Sequence, residues 1–272
     1  MSSSNLARGS AEFLQAQSHI YKHIFSFISS ISLKCAVELG IPDIINSHSQ
    51  PMTLPKLVSA LQLPRSKTGH VHRLMRLLVH NGFFARESVD EATDQGYVLT
   101  HSARFLLKGS GSDLSPFVLS MLHPDLVLPW HVLGDSIKDD RATPFEAAHG
   151  TAFWEFQQKN KHFRELFNEA MASDSRLVSL VVKDCRAAFE GLDSIVDVGG
   201  GTGTTMKIIS QEFPHLKCTV LDLPQVVAGL PSSPSFEFVA GDMFASIPSA
   251  DAFLIKLVLH SLGDEECVKI LK

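Results

Sequence analysis

The stretch SIVDVGGGTGTTMKII at residues 194–209 constrains the fold of this chain more than any other feature. A short apolar run leads into four glycines within five positions, and a helix-like stretch follows. Three further β-rich runs come after it, separated by helical or loop segments: KCTVLDL, FEFVAGD and AFLIKLVLH. Such alternation predicts an α/β fold with a parallel sheet and helices on both of its faces.

The glycine loop discriminates between classes of ligand. A dinucleotide fingerprint requires glycine or alanine where the chain has Thr204, and a P-loop ends in GK[ST], whereas the first lysine after these glycines is Lys207. The loop instead carries an acid followed by alternate glycines: Asp197, Gly199, Gly201 and Gly203. This pattern resembles the first motif of methyltransferases that use S-adenosylmethionine (SAM). The chemistry supports the resemblance, because a carboxylate suits the cationic end of SAM and glycines allow close approach of the backbone.

Two more carboxylates follow the next two predicted strands. Asp222 ends TVLD and Asp242 follows FVAG. Each acid alone is more often a turn or cap residue. Because the carboxyl ends of parallel strands share one edge of a sheet, three acids at successive strand ends favour one cofactor site, with Asp222 on the ribose hydroxyls. Met243 and Phe244 are then placed to sandwich an adenine ring.

The N-terminal part of the chain has helical patterning. Residues 11–39 carry apolar side chains at helical spacing, and Gly40 and Pro42 end the segment. The apolar face is wider than a single surface helix needs. Core packing and a dimer interface both remain open for it.

Two shorter helices and a hairpin follow. Thr53 and Ser66 are the predicted N-caps, Gly82 ends the second helix, and YVLT is expected to pair with FFARE. Three helices and a two-stranded wing form a winged-helix pattern. DNA binding would need a basic recognition helix, and the net charge of −5 argues against nucleic-acid partners.

We expect three parts: a winged-helix-like dimerisation domain (1–110), a helical segment (111–190) and a sheet domain (191–272).

The composition excludes several other classes of protein. The four cysteines are widely spaced without a CxxC pair, which indicates reduced thiols and no zinc site. The pair of histidines at 70–72 lacks a third ligand nearby and there is no HExxH motif, so no catalytic metal is expected. No signal peptide or membrane-spanning run is recognised. The expected location is therefore cytoplasmic, without a membrane partner.

The motifs together resemble one family. SLKCAVELGIPDII, RLMRLLVHNGFF, FNEAMASDS, VDVGGGTG, TVLDLP and GDMF are similar to the plant small-molecule O-methyltransferases, which methylate phenolic hydroxyls of flavonoids, isoflavones and stilbenes. The resveratrol and isoflavone branch looks closest. The resemblance covers essentially the whole chain. It implies a Rossmann-like methyltransferase sheet behind a dimerisation domain, SAM as co-substrate, a phenolic substrate and a homodimer.

The resemblance also implies roles for particular residues. The cofactor site is expected to include Asp197, Gly199, Gly201, Asp222, Leu223, Asp242, Met243, Phe244 and Lys256. The phenolic pocket is expected to include Met121, Trp154, Phe167, Met171 and Asp174. Both methionines have an alternative as core-filling residues, although a thioether also suits a flat aromatic ligand. His260 matches the catalytic base, since neutral histidine accepts a phenolic proton at pH 7.

Two features depart from the family pattern. The histidine is usually followed by Asp or Asn and then Trp, whereas Ser261 and Leu262 stand here. The chain also ends in the helix after the fourth predicted strand, and three more strands with their helices would take roughly 60–90 residues. A C-terminally truncated O-methyltransferase is the leading expectation. A catalytically weak or inactive form that acts as a dimerisation partner is the alternative.

Overall fold

A computed structural model describes residues 3–89, 95–138, 143–231 and 233–272 of the chain. It divides into two compact units, Met1–Lys108 and Gly109–Lys272. Both the helical segment 111–190 and the sheet segment 191–272 lie within the second unit. Within the described residues, none of the helices is long and apolar enough to cross a membrane.

The first unit is mainly helical. Its elements in chain order are α1 (Ser3–Glu38), α2 (Ile41–Asn46), α3 (Leu54–Ala60), a 3-10 helix (Arg65–Lys67), α4 (Thr68–His80), β1 (Phe84–Ser88), β2 (Gln95–Leu99) and α5 (His101–Arg104). Its core is built from the apolar faces of α2, α3 and α4 closed by the hairpin, with Leu57, Met75 and Phe84 almost fully buried. The predicted pairing of FFARE with YVLT is confirmed, since Phe84 stands opposite Leu99 in an antiparallel ladder.

Helix α1 exposes most of its apolar face. It ends at Glu38, before Gly40 adopts a left-handed conformation (φ 66°) that a residue with a side chain rarely takes. Near its C-terminus, Ala36 and Val37 are buried. Nine large side chains nearer the N-terminus of the helix are exposed: Phe13, Leu14, Ile20, Tyr21, Ile24, Phe25, Phe27, Ile28 and Ile31. This stretch of the apolar face is therefore not used as core within the chain itself.

One predicted helix cap is wrong. Thr53 is the N-cap residue of α3, although its side chain makes no capping hydrogen bond. Ser66 lies inside the 3-10 helix, and Lys67 is the N-cap residue of α4. Because the backbone before α4 is already helical, Ser66 does not occupy the extended position from which a side chain caps a helix.

The second unit combines helices with a parallel sheet. Its helices before the sheet are α6 (Ser115–Met121), α7 (Pro124–His131), α8 (Leu133–Ser136), α9 (Pro144–His149), α10 (Phe153–Lys159), α11 (Lys161–Arg176), α12 (Val178–Val181) and a 3-10 helix (Arg186–Phe189). The remaining elements are β3 (Ser194–Val198), α13 (Thr204–Glu212), β4 (Lys217–Asp222), α14 (Pro224–Val227), β5 (Phe236–Ala240), β6 (Ala252–Leu254), a 3-10 helix (Leu259–Ser261) and α15 (Asp264–Ile270).

The sheet has the strand order β5-β4-β3-β6, and all its pairings are parallel. Alternate residues of β3 face two separate apolar clusters. Ile195 belongs to the cluster that includes Met206 and Ile209 of α13, whereas Val196 and Val198 belong to the other. Strands β4 and β5 lie in order on one side of β3, and β6 lies on the other side of β3. Such a reversal of strand order opens a crevice at the carboxyl ends of the strands.

The last predicted strand is shorter than expected. Of AFLIKLVLH, only Ala252–Leu254 is strand. Leu257 then adopts a left-handed conformation (φ 56°), which interrupts the extended backbone, and a short 3-10 helix follows. His260 therefore lies within that 3-10 helix and not at the end of the strand.

Candidate active site

A cavity of about 350 Å³ lies within the second unit at the carboxyl edge of the sheet. Its size is in the range of small-molecule sites. One wall, which we call the sheet wall, consists of the glycine loop, the strand ends and the segment after β6. The opposite wall, which we call the helical wall, is formed by α10 and α11. The helical wall contains Trp154, Gln157, Phe167, Asn168, Met171, Ala172 and Ser175.

The glycine loop turns tightly between β3 and α13. Gly199 has φ 71°, and a Cβ atom there would lie 2.8 Å from Val258 Cγ2. A Cβ atom on Gly200 would lie 2.7 Å from the carboxyl carbon of Asp197. Both distances are shorter than a carbon contact allows, so glycine is required for the loop to pass between Asp197 and the segment after β6.

Asp197 is a buried acid at the end of β3. Its residue exposure is 2%. The pKa of its carboxyl is raised from 3.8 to about 7, mainly by burial and further by the charge of Asp222, against an opposing effect of Lys256. A buried carboxyl of this kind favours the binding of a cationic group beside it, because such a group stabilises its ionised form.

Asp222 and Asp242 occupy the ends of the next two strands. The Asp222 carboxylate accepts hydrogen bonds from the backbone N–H of Gly201 (2.8 Å) and of Leu223 (2.7 Å). Burial raises the pKa of Asp222, and those two hydrogen bonds oppose the rise. Asp242 is exposed and accepts from the Phe244 N–H at 2.9 Å. The structure thus brings the three predicted acids to one cavity.

All nine residues that were expected to bind the cofactor are part of the lining of this cavity. They are Asp197, Gly199, Gly201, Asp222, Leu223, Asp242, Met243, Phe244 and Lys256. Lys256 follows β6 and forms an ion pair with Asp174 of α11, with each side chain about one quarter exposed. Asp174, expected in the phenolic pocket, does not itself line the cavity but contacts Lys256, which does.

The predicted substrate residues are brought together only in part. Trp154, Phe167 and Met171 line the helical wall. The Trp154 and Phe167 rings meet edge to face with centroids 6.4 Å apart. Met121 is half-buried on α6, which packs against α11, and is not part of the lining.

His260 is exposed and is also absent from the lining. Its chain neighbours Ser261 and Leu262 both line the cavity. The 3-10 helix that carries His260 is closed by a hydrogen bond from the Ser261 N–H to the Val258 carbonyl at 3.1 Å. The histidine therefore lies at the rim of the site in the ligand-free chain.

Three polar residues of the helical wall were not expected from the sequence: Gln157, Asn168 and Ser175. Each is three or four positions from a residue that was expected, Trp154 or Met171. Residues at that spacing share one face of a helix, so helical periodicity applied to the predicted pocket residues is the signal that would have found them.

Metal ligation has no support in the part of the chain that the structure describes. No group of three or more histidine, cysteine, aspartate or glutamate side chains is close enough to hold an ion there. The cavity is lined by carboxylates, one lysine, aromatic rings and other side chains.

Comparison with known proteins gives two family matches. Residues 130–272 match an O-methyltransferase domain, and residues 21–109 match an O-methyltransferase dimerisation domain. The chain is 51% identical to a trans-resveratrol di-O-methyltransferase from Vitis vinifera, with 98% of this chain and 76% of that protein covered. It is 49% identical to an isoflavone-7-O-methyltransferase from Medicago sativa, with 100% and 76% covered.

Solved structures show the same fold. Human N-acetylserotonin methyltransferase in complex with SAM superposes with a TM-score of 0.76 at 21% identity, over 94% of this chain and 75% of that chain. A mitomycin 7-O-methyltransferase superposes with a TM-score of 0.69 at 28% identity, over 96% and 76%.

Proposed function

The chain belongs to the SAM-dependent O-methyltransferase family, and on that premise we propose that it methylates a phenolic hydroxyl of a plant secondary metabolite of stilbene, flavonoid or isoflavone type. One observation carries the proposal. A single cavity has acids and a glycine loop on its sheet wall and aromatic and methionine side chains on its helical wall. A cationic donor and a flat aromatic acceptor would thus lie side by side.

The residues of the sheet wall suit SAM. Asp197 is buried with a raised pKa and gains from a neighbouring cation, while the space beside Gly201 is open to a ligand. Asp222 would hold the ribose hydroxyls, and Met243 and Phe244 would flank the adenine. SAM, when bound, supplies an activated methyl group. The protein has mainly to align the acceptor oxygen with it.

The helical wall suits an aromatic acceptor. Trp154 and Phe167 offer ring faces and edges, and Met171 offers a flexible thioether. Asp174 would act indirectly, because its ion pair holds Lys256 at the boundary between the two walls.

His260 would accept the phenolic proton. A phenol has a pKa near 10 and is a weak nucleophile at neutral pH, whereas histidine has a pKa near 6.5 and is available as a base. The exposed rim position of His260 requires it to approach the cavity when ligands bind, and catalytic contacts are often long in ligand-free enzymes.

Methyl transfer from labelled SAM to a panel of phenols tests the function. His260→Ala should reduce the rate by about 10²- to 10⁴-fold, which is the usual contribution of a general base. His215→Ala, a change at another exposed histidine, is the matched control and should keep full activity. Undiminished turnover in His260→Ala would assign the base to another group.

The exposed apolar face of α1 supports a homodimer, since nine large apolar side chains are otherwise left in water and the segment 21–109 matches a dimerisation domain. The same face supports the alternative function, a dimerisation partner with weak or no catalysis. The position of His260 outside the lining favours it too. Such a partner would form dimers yet release no heat when titrated with SAM.

A further inference from the structure

We propose that the side-chain amide of Gln157 donates a hydrogen bond to a second oxygen of the acceptor, distinct from the hydroxyl that receives the methyl group. The inference rests on the proposed function, and it adds a polar specificity determinant to a wall that otherwise offers mostly apolar contacts. The acceptor class it selects is a phenol that carries another hydroxyl, carbonyl or ether oxygen.

The amide of Gln157 is a buried donor without a partner. Gln157 lines the cavity and is only 6% exposed. Within the described ranges, its Nε2 atom is buried and has no hydrogen-bond partner. Buried amide groups are normally paired, and an unpaired one lowers stability. An unpaired donor in a residue that lines a ligand cavity is therefore explained if the amide turns toward a ligand that supplies the acceptor.

The backbone around Gln157 is held in place. The Arg164 guanidinium donates to the main-chain carbonyls of Gln157 (3.0 Å) and Gln158 (3.1 Å) at the end of α10. The Asn160 side chain accepts from the Phe163 N–H at 3.0 Å and caps α11. These bonds fix the junction of α10 and α11, so the backbone that carries the amide is in place before a ligand arrives, which reduces the entropy lost on binding.

Aromatic contacts strengthen the same junction. Phe153 of α10 meets Phe167 of α11 edge to face at 5.2 Å between centroids. Phe156 meets Phe163 in the same manner at 5.2 Å. The two helices that build the helical wall are thus packed through ring contacts made by the turn of α10 that precedes Gln157.

The position of Gln157 favours the acceptor over SAM as its partner. The acids and glycines that suit SAM belong to the sheet wall, while Gln157 is one helical turn from Trp154 on α10. The amide nitrogen is a donor and pairs with a carbonyl, hydroxyl or ether oxygen. A flat acceptor against Trp154 and Phe167 would present such an oxygen from its ring substituents.

The test compares two acceptors that differ by one oxygen. A stilbene with one hydroxyl on each ring and a stilbene with a hydroxyl on one ring only are titrated against the protein in the presence of S-adenosylhomocysteine, which has no methyl group to transfer. Equilibrium dissociation constants are measured, since they do not require turnover, and kcat/KM is measured for both. The variants are Gln157→Leu, which removes the donor at similar volume, and Gln158→Leu, a matched change at an exposed neighbour.

Wild type and Gln158→Leu should prefer the doubly hydroxylated stilbene, and Gln157→Leu should lose about 5- to 100-fold of that preference. Its affinity for SAM should stay unchanged. Gln157→Met serves as a second donor-free variant if the leucine variant does not fold.

An equal preference in wild type and the donor-free variants would overturn the inference, and so would an equal loss of SAM affinity. A preference seen in binding without any methylated product would contradict the proposed function while supporting the role of Gln157.

Discussion

Replacing Asp197 with asparagine should stabilise the ligand-free protein more at pH 8 than at pH 5. Burial raises the pKa of this carboxyl from 3.8 to about 7, with Asp222 adding to the rise. Between those two values the native state holds a proton that the unfolded state has lost, so wild-type stability falls as the pH rises. At about 1.4 kcal/mol per pH unit for one proton, the advantage of the asparagine variant should grow by about 2.5 kcal/mol from pH 5 to pH 8.

Urea unfolding at several pH values between 5 and 8 measures how the difference in unfolding free energy between the asparagine variant and wild type changes with pH. The two tryptophans, Trp130 and Trp154, both lie in the unit Gly109–Lys272, so their fluorescence reports the unit that contains Asp197. Unfolding free energies of wild type and variant are compared at each pH.

Asp251→Asn is the matched control. Its carboxylate accepts from Ser194 and from the N–H of Asp193, and these bonds lower its pKa. A lowered pKa gives stability that is complete above the unfolded value of 3.8 and is lost only as the pH falls below it. The gap between wild type and Asp251→Asn should therefore stay constant from pH 5 to pH 8. A constant gap for Asp197→Asn as well would refute the reasoning.

Two further changes test the cofactor loop and the dimer. Gly200→Ala places a Cβ atom 2.7 Å from the Asp197 carboxyl, so SAM affinity should fall by about 10-fold or more in calorimetry. Gly134→Ala, where no heavy atom lies within 4 Å of the new Cβ, should bind SAM normally, and equal affinities would contradict the steric argument. Phe27→Glu puts a charge on the apolar face of α1 and should shift the protein towards monomer in analytical ultracentrifugation. Lys22→Glu, an exposed change on the other side of the helix, should not, and a dimer that survives Phe27→Glu would exclude this face.

The sequence predicted the sheet and its cofactor edge well because these are local signals. Apolar runs that end in acids and glycines identify strands and the turns after them, and parallel strands bring those ends together. Asp197, Asp222 and Asp242 therefore reached one cavity as predicted. The hairpin at β1 and β2 follows in the same way from two short β-rich runs near Gly82.

Short-range signals failed where neighbouring residues change the backbone. Ser66 has the side chain of a helix cap, but a 3-10 turn occupies its position. The run AFLIKLVLH has the composition of a strand throughout, but the left-handed conformation of Leu257 ends the extended segment early. The composition of the run predicted His260 at the end of a strand. In the structure it lies instead in a 3-10 helix at the rim of the cavity.

The sequence by itself determined the alternation of strands and helices, the glycine loop and the acids at the strand ends, since each depends on residues close together in the chain. Only the tertiary structure decided which residues of α10 and α11 form the helical wall of the same cavity. Asp174 pairs with Lys256 across 82 positions of sequence, and Gln157 lines the cavity with a buried, unpaired amide. Such pairings depend on how α10 and α11 pack in relation to the sheet, and no local pattern of side chains records that packing.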